Sequence, residues 1–67
     1  MKINHALKAA RDVAGMNQNE AASAIGVSNV TLCRWENGKT QPIAEQLIKM
    51  GEVYGVSLDQ LCGVKPL

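Results

Sequence analysis

Residues 18–35, Gln18-Asn19-Glu20-Ala21-Ala22-Ser23-Ala24-Ile25-Gly26-Val27-Ser28-Asn29-Val30-Thr31-Leu32-Cys33-Arg34-Trp35, decide the fold. Asn17 stands three residues before Glu20, an N-x-x-E form of the capping box that opens a helix. Ala21, Ala24 and Ile25 recur at helical spacing, and Gly26 follows where the chain leaves the helix. Ser28 caps a second helix in which Leu32 and Trp35 share the inner face, leaving Asn29, Val30, Cys33 and Arg34 outside. Two helices joined by so short a turn at a steep angle come very close where they cross, and Ala22 supplies the small side chain needed there. Gly26 supplies an unhindered turn. This is the sequence logic of a helix-turn-helix over about residues 18–37, whose second helix offers its outer face to the major groove of DNA.

Working outward, the punctuation predicts helices over about 3–14, 18–25, 29–37, 43–54 and 58–62. Leu7, Ala10 and Ala14 form one stripe; Leu47, Met50 and Tyr54 form another, joined by Leu58 and Leu61. Ser57 and Gln60 form a second capping box, and Pro42 suits a first helical turn. Asn37-Gly38 is a helix stop, because the preceding apolar spacing is helical and no alternating strand follows. Gly51 lies inside a helix at a cost of about 1 kcal/mol relative to Ala; a close helix crossing or plain tolerance accounts for it. The expected fold is all-α, a compact five-helix bundle forming a single domain over residues 1–67.

Composition agrees. The 67 residues leave room for one core. They are 46% hydrophobic but only 3% aromatic, with no Phe, which favours helices packed through Ala, Leu, Ile, Val and Met. No apolar run approaches the roughly 20 residues of a membrane span, and Met1-Lys2-Ile3-Asn4-His5 does not begin a signal peptide. Cys33 and Cys62 suit reduced thiols in a cytoplasmic protein, and with His5 far away in sequence they make no metal set. Catalysis is not expected: there is no imidazole base besides His5, no paired acids and no glycine-rich phosphate loop. Net charge is +1; residues 1–39 carry +2 and residues 40–67 carry −1, so any basic face lies on the first half.

Four ordered motifs carry a family resemblance: Gln18-Asn19-Glu20-Ala21-Ala22, Ile25-Gly26-Val27-Ser28, Trp35-Glu36-Asn37-Gly38-Lys39 and Gly55-Val56-Ser57-Leu58-Asp59-Gln60-Leu61. From about Leu7 to Gly63 the chain resembles the lambda-repressor-like proteins, the Cro/Xre-type helix-turn-helix proteins of phages and bacteria. The resemblance implies a lambda-repressor-like DNA-binding domain that binds a partly palindromic double-stranded DNA operator as a homodimer, acting as a transcriptional repressor. Carried over by position, Gln18 and the N-terminus of its helix would hold one phosphate. Lys39, with the backbone around Asn37 to Thr40, would grip others. Asn29, Val30 and Arg34, with Thr31 and Cys33 beside them, would face the groove. Their chemistry suits adenine, a thymine methyl and guanine, respectively, for Asn, Val and Arg. Arg11 and Glu36 match positions that resemble a buried ion pair between the first helix and the end of the third. No cofactor, metal or membrane partner is implied.

Duller roles stand beside these. Arg34 also fits a solvated helix position, Asn29 fits capping alone, and Cys33 fits a small groove-side residue better than a redox sensor. Trp35 is in phase with the core, and His5 fits the surface of the first helix. Two departures stand out. Ile43 occupies a position where a Ser or similar cap often opens the fourth helix, which would move that start to Thr40 or Gln41. Ala44 replaces a larger apolar residue, implying a thinner core. Leu61, Val64 and Leu67 have no helix left to cover them; they form a dimer interface, or else the tail of residues 63–67 packs back on its own core or frays. A protein-interaction module without DNA readout and an antitoxin that also binds a toxin are the rival functions.

Overall fold

The first helix of the computed structural model, which describes residues 3–67, is α1 (Ile3–Val13); it buries Ala6, Leu7 and Ala10 along one stripe. α2 (Gln18–Ile25) and α3 (Asn29–Glu36) follow, then α4 (Ala44–Tyr54) and the single turn α5 (Leu58–Leu61). Each expected helix is present, with its ends within one residue of the expected limits. No strand occurs among the described residues, and none of their helices is long and apolar enough to cross a membrane.

Local chemistry explains the boundaries. Asn17 Oδ1 accepts from the Glu20 N–H at 2.8 Å while Glu20 Oε1 accepts from the Asn17 N–H at 3.0 Å, closing the capping box of α2. Ser57 and Gln60 do the same for α5. The α2–α3 turn depends on Gly26, whose φ of +90° is the left-handed conformation that side chains resist. Gly38, at φ +76°, stops α3 in the same way: the Lys39 N–H returns to the Arg34 carbonyl at 2.9 Å and the Gly38 N–H to that of Trp35 at 3.3 Å.

α3 packs on α1 and α2, α2 also meets α4, and α5 closes the bundle against α1 and α4. Leu7, Leu32, Met50 and Leu61 are the largest fully buried side chains, with Trp35, Ile25, Ala21 and Ala22 around them. Ala22, expected at the crossing of α2 and α3, is buried in this core.

Several expectations need correction. α4 does not begin at Thr40 or Gln41. Ile43 occupies the cap position, and Gln46 Oε1 accepts its N–H at 2.8 Å, so half a capping box suffices without a polar cap side chain. Pro42 is therefore outside the first helical turn, buried ahead of it, and Ala44 faces solvent rather than thinning the core. Ala24 and Leu58 are exposed, because the short helices α2 and α5 bury narrower stripes than periodicity suggests. Gly51 answers to a close approach, but from the turn after its own helix: an added Cβ would lie 3.1 Å from the Val56 carbonyl oxygen. Met1 and Lys2, at the start of the segment read as lacking a signal peptide, lie outside the described residues.

Tyr54, the only tyrosine, is buried with its hydroxyl unpartnered among the described residues. Burial, reinforced by the negative charge of Glu36, pushes its pKa up to about 12. Between the ordinary value near 10 and that value, the unfolded phenol ionises while the folded one stays neutral. Stability is therefore intact below that window and falls as pH rises through it. Tyr54→Phe is expected to match or exceed the parent in stability at pH 7, by up to about 1 kcal/mol, since it removes an unpaired buried hydroxyl. It should also flatten the alkaline decline; denaturation midpoints at pH 7 to 11 measure both effects.

Candidate nucleic-acid interface

α3 separates its residues by face. Leu32, Trp35 and Glu36 are buried, while Asn29, Val30 and Arg34 are exposed, Val30 by 61%. Thr31 and Cys33 lie half-buried between the two sets. Capping falls to Ser28, whose Oγ accepts the Thr31 N–H at 3.1 Å and lies 2.9 Å from the Thr31 hydroxyl. Asn29 therefore does not supply the cap, and its exposed amide has the donor and acceptor that a base edge needs. Thr31 has its hydroxyl engaged with the cap. Cys33 Sγ accepts from Asn37 Nδ2 at 3.2 Å, and both cysteines are free thiols. Arg34 has no ion-pair partner among the described residues.

The orientation of this face comes from behind it. Arg11 Nε donates to Glu36 Oε2 at 2.7 Å and Nη2 donates to Oε1 at 3.0 Å, a two-pronged pair buried between α1 and the end of α3. Arg11 Nη1 donates to the Met16 carbonyl at 2.9 Å, which ties in the α1–α2 turn. The Glu36 hydrogen bond and charge hold the guanidinium pKa above its ordinary value against the opposing effect of burial. Gln18 Nε2 also donates to Glu36 Oε1, at 3.0 Å, so one carboxylate joins α1, α2 and α3. Asn4, which no sequence pattern singled out, donates from Nδ2 to the Glu36 carbonyl at 3.3 Å and lies against Gly38.

At the start of α2 the capping box occupies the Glu20 N–H and leaves those of Gln18 and Asn19 at an open helix N-terminus, which favours an anion. Beyond α3 the arrangement differs from the expected backbone grip. The N–H groups of Asn37, Gly38 and Lys39 are spent on the carbonyls of Cys33, Trp35 and Arg34. What remains for a phosphate there is chiefly the exposed side chains of Asn37, Lys39 and Thr40. His5 is exposed on α1 and, with Asn4, Asn37 and Thr40, lines a shallow groove beside this segment.

The C-terminal tail divides between core and surface. Leu61 is fully buried in the chain's own core, so it offers nothing to a second copy; the closing turn of α5 points it inward. Val64 and Leu67 are exposed by 73% and 46%. The segment is folded back rather than frayed: Asp59 accepts the Val64 and Lys65 N–H groups through its carbonyl, and Gln60 Nε2 donates to the Pro66 carbonyl at 3.2 Å. No cluster of possible metal ligands occurs among the described residues.

The family model described as Helix-turn-helix matches residues 7–61. The HTH-type transcriptional regulator ImmR of Bacillus subtilis is 36% identical over 63 residues, covering 94% of this chain and 50% of that protein. The cryptic phage CTXphi transcriptional repressor RstR of Vibrio cholerae is 33% identical over 63 residues, covering 94% of this chain and 56% of that protein. The chain thus spans about half the length of the curated relatives it matches. Among solved structures, the P22 c2 repressor protein, crystallised in complex with a synthetic operator, superposes with a TM-score of 0.87 at 26% identity, covering 97% of this chain and 98% of that one.

The buried pair makes a clear prediction. Glu36→Ala leaves the buried Arg11 charge with only the exposed Asp12 carboxylate, 3.7 Å from Nη1, beside it, and is expected to cost up to about 3–5 kcal/mol, whereas Arg11→Met with Glu36→Leu is expected to be near neutral. Chemical denaturation of both variants checks the contrast.

Proposed function

The chain belongs to the helix-turn-helix family whose model it matches, and on that premise we propose that it is a sequence-specific regulator of transcription, a phage-type repressor that binds a palindromic operator in double-stranded DNA as a dimer. The observation that carries this reading is the exposure of Asn29, Val30 and Arg34 on the one face of α3 that the core does not use. Asn29 pairs with adenine N6 and N7, Arg34 with guanine O6 and N7, and Val30 contacts a thymine methyl. Cys33 and the Thr31 methyl fill the flanks of the same face. Phosphates on either side are held by the α2 N-terminus with Gln18, and by Asn37, Lys39 and Thr40.

The likeness to ImmR, RstR and the P22 c2 repressor supports this reading, since two are named transcriptional repressors or regulators and the third was crystallised on operator DNA. A dimer follows from the weak charge of one copy. Net charge is +1, and Lys8 lies 3.7 Å from Asp12, so few cations are free for phosphates and two half-sites must add their contacts. The exposed Val64 and Leu67 are the tail side chains open to the second copy. Two-fold pairing sets the half-sites about 34 Å apart.

Selection of bound sites from random duplex DNA is expected to return an inverted repeat with that spacing; recovery of no common sequence would overturn the reading. On a recovered site, Arg34→Ala is expected to cost about 1–3 kcal/mol and relax a single base position in each half-site. Lys39→Ala is expected to weaken all sequences alike and reduce the salt slope by about 1 per copy. Affinity measured across a salt series separates the two behaviours.

A further inference from the structure

Glu36 is an acidic side chain within the DNA-facing unit, yet it is buried and faces away from the groove. Its Oε2 accepts from Arg11 alone, whereas its Oε1 accepts from two donors, Arg11 Nη2 and Gln18 Nε2, each at 3.0 Å. Only the first partner is needed to balance charge. The second fixes a flexible amide: Gln18 is the first residue of α2, half-buried, and an unanchored glutamine there has several rotamers to choose from. An amide nitrogen carries two hydrogens, so donation to Glu36 leaves one N–H of Gln18 for another acceptor. The backbone N–H groups of Gln18 and Asn19 lie at the same helix end.

We propose that Glu36 is a positioning residue for DNA binding: by accepting one Gln18 amide hydrogen, it holds the other beside the α2 N-terminus, where a DNA phosphate is bound. The inference rests on the DNA-binding reading above. It adds that a buried carboxylate, which never touches the anion and would repel it, raises affinity by orienting the donor that does. The same atom thereby sets phosphate grip and recognition helix in one frame, because Glu36 closes α3 while Gln18 opens α2.

The test removes the ion pair, so that no lone charge is buried, and varies only the acceptor. Arg11→Met with Glu36→Gln keeps an oxygen for Gln18; Arg11→Met with Glu36→Leu does not. Denaturation midpoints verify that both are folded, and affinity is measured on a duplex recovered by selection. The Gln variant is expected to bind within about twofold of the parent and the Leu variant about fivefold to tenfold more weakly, the weakening of one hydrogen bond to a phosphate when the Gln18 amide is no longer held. Adding Gln18→Ala to each is expected to abolish the difference. Equal affinities for the Gln and Leu variants, or a difference that survives Gln18→Ala, would overturn the proposal while DNA binding itself stood. If the pair-less chains do not fold, Gln18→Met in the otherwise unchanged chain replaces them: it keeps length but neither donor, and unchanged affinity would overturn the proposal. Absence of sequence-specific binding by the parent would instead overturn the reading on which the proposal rests.

Discussion

A guanidinium and a carboxylate removed from water lose several kcal/mol of hydration each, and only near-ideal geometry with every remaining donor occupied returns that loss. The Arg11–Glu36 pair approaches this condition, with three of the five guanidinium N–H groups in hydrogen bonds. Both carboxylate oxygens and all three guanidinium nitrogens find partners, and those partners belong to α1, the α1–α2 turn, α2 and α3. A buried pair of this kind is often no more stabilising than well-packed apolar side chains, and its best-attested contribution is registry. A core built from Ala, Leu, Ile and Met admits several packings of short helices, and the pair is compatible with the one that turns Asn29, Val30 and Arg34 outward.

The rest of the molecule follows from that frame. α2 and α3 are only eight residues each, too short to persist alone, so their angle must be imposed by caps, the Gly26 turn and burial. α4 and α5 complete the core through Met50, Tyr54 and Leu61 and leave α3's outer face uncovered. The packing that orients α3 thus lies on the side opposite its exposed Asn29, Val30 and Arg34.

Much of this was legible in the chain because the signals were local. Capping boxes at Asn17 and Ser57, the serine cap at Ser28 and the glycines at 26 and 38 each act within a few residues, and each marked a real boundary. The two faces of α3 followed from periodicity alone, and the buried pair from family resemblance. What escaped depended on long-range packing. Leu58 and Leu61 carry the same side chain three residues apart, and only the docking of a single helical turn against α1 and α4 decides that the second is buried and the first is not. Asn4 acquires its role from the Glu36 carbonyl, 32 residues away, and no local pattern announces it. The loss of the Asn37–Lys39 amides to the end of α3 was implicit in Gly38 as a helix stop, since that stop uses those same donors.

The central claim is that α3's outer face meets base edges. Amide chemical-shift mapping of the isotopically labelled chain, titrated with a duplex recovered by selection, tests it most directly. The account predicts the largest changes at Asn29 through Arg34, with a second set at Gln18 and Asn19 and a third at Lys39 and Thr40. Changes concentrated on α4 and α5, with α3 silent, would contradict it.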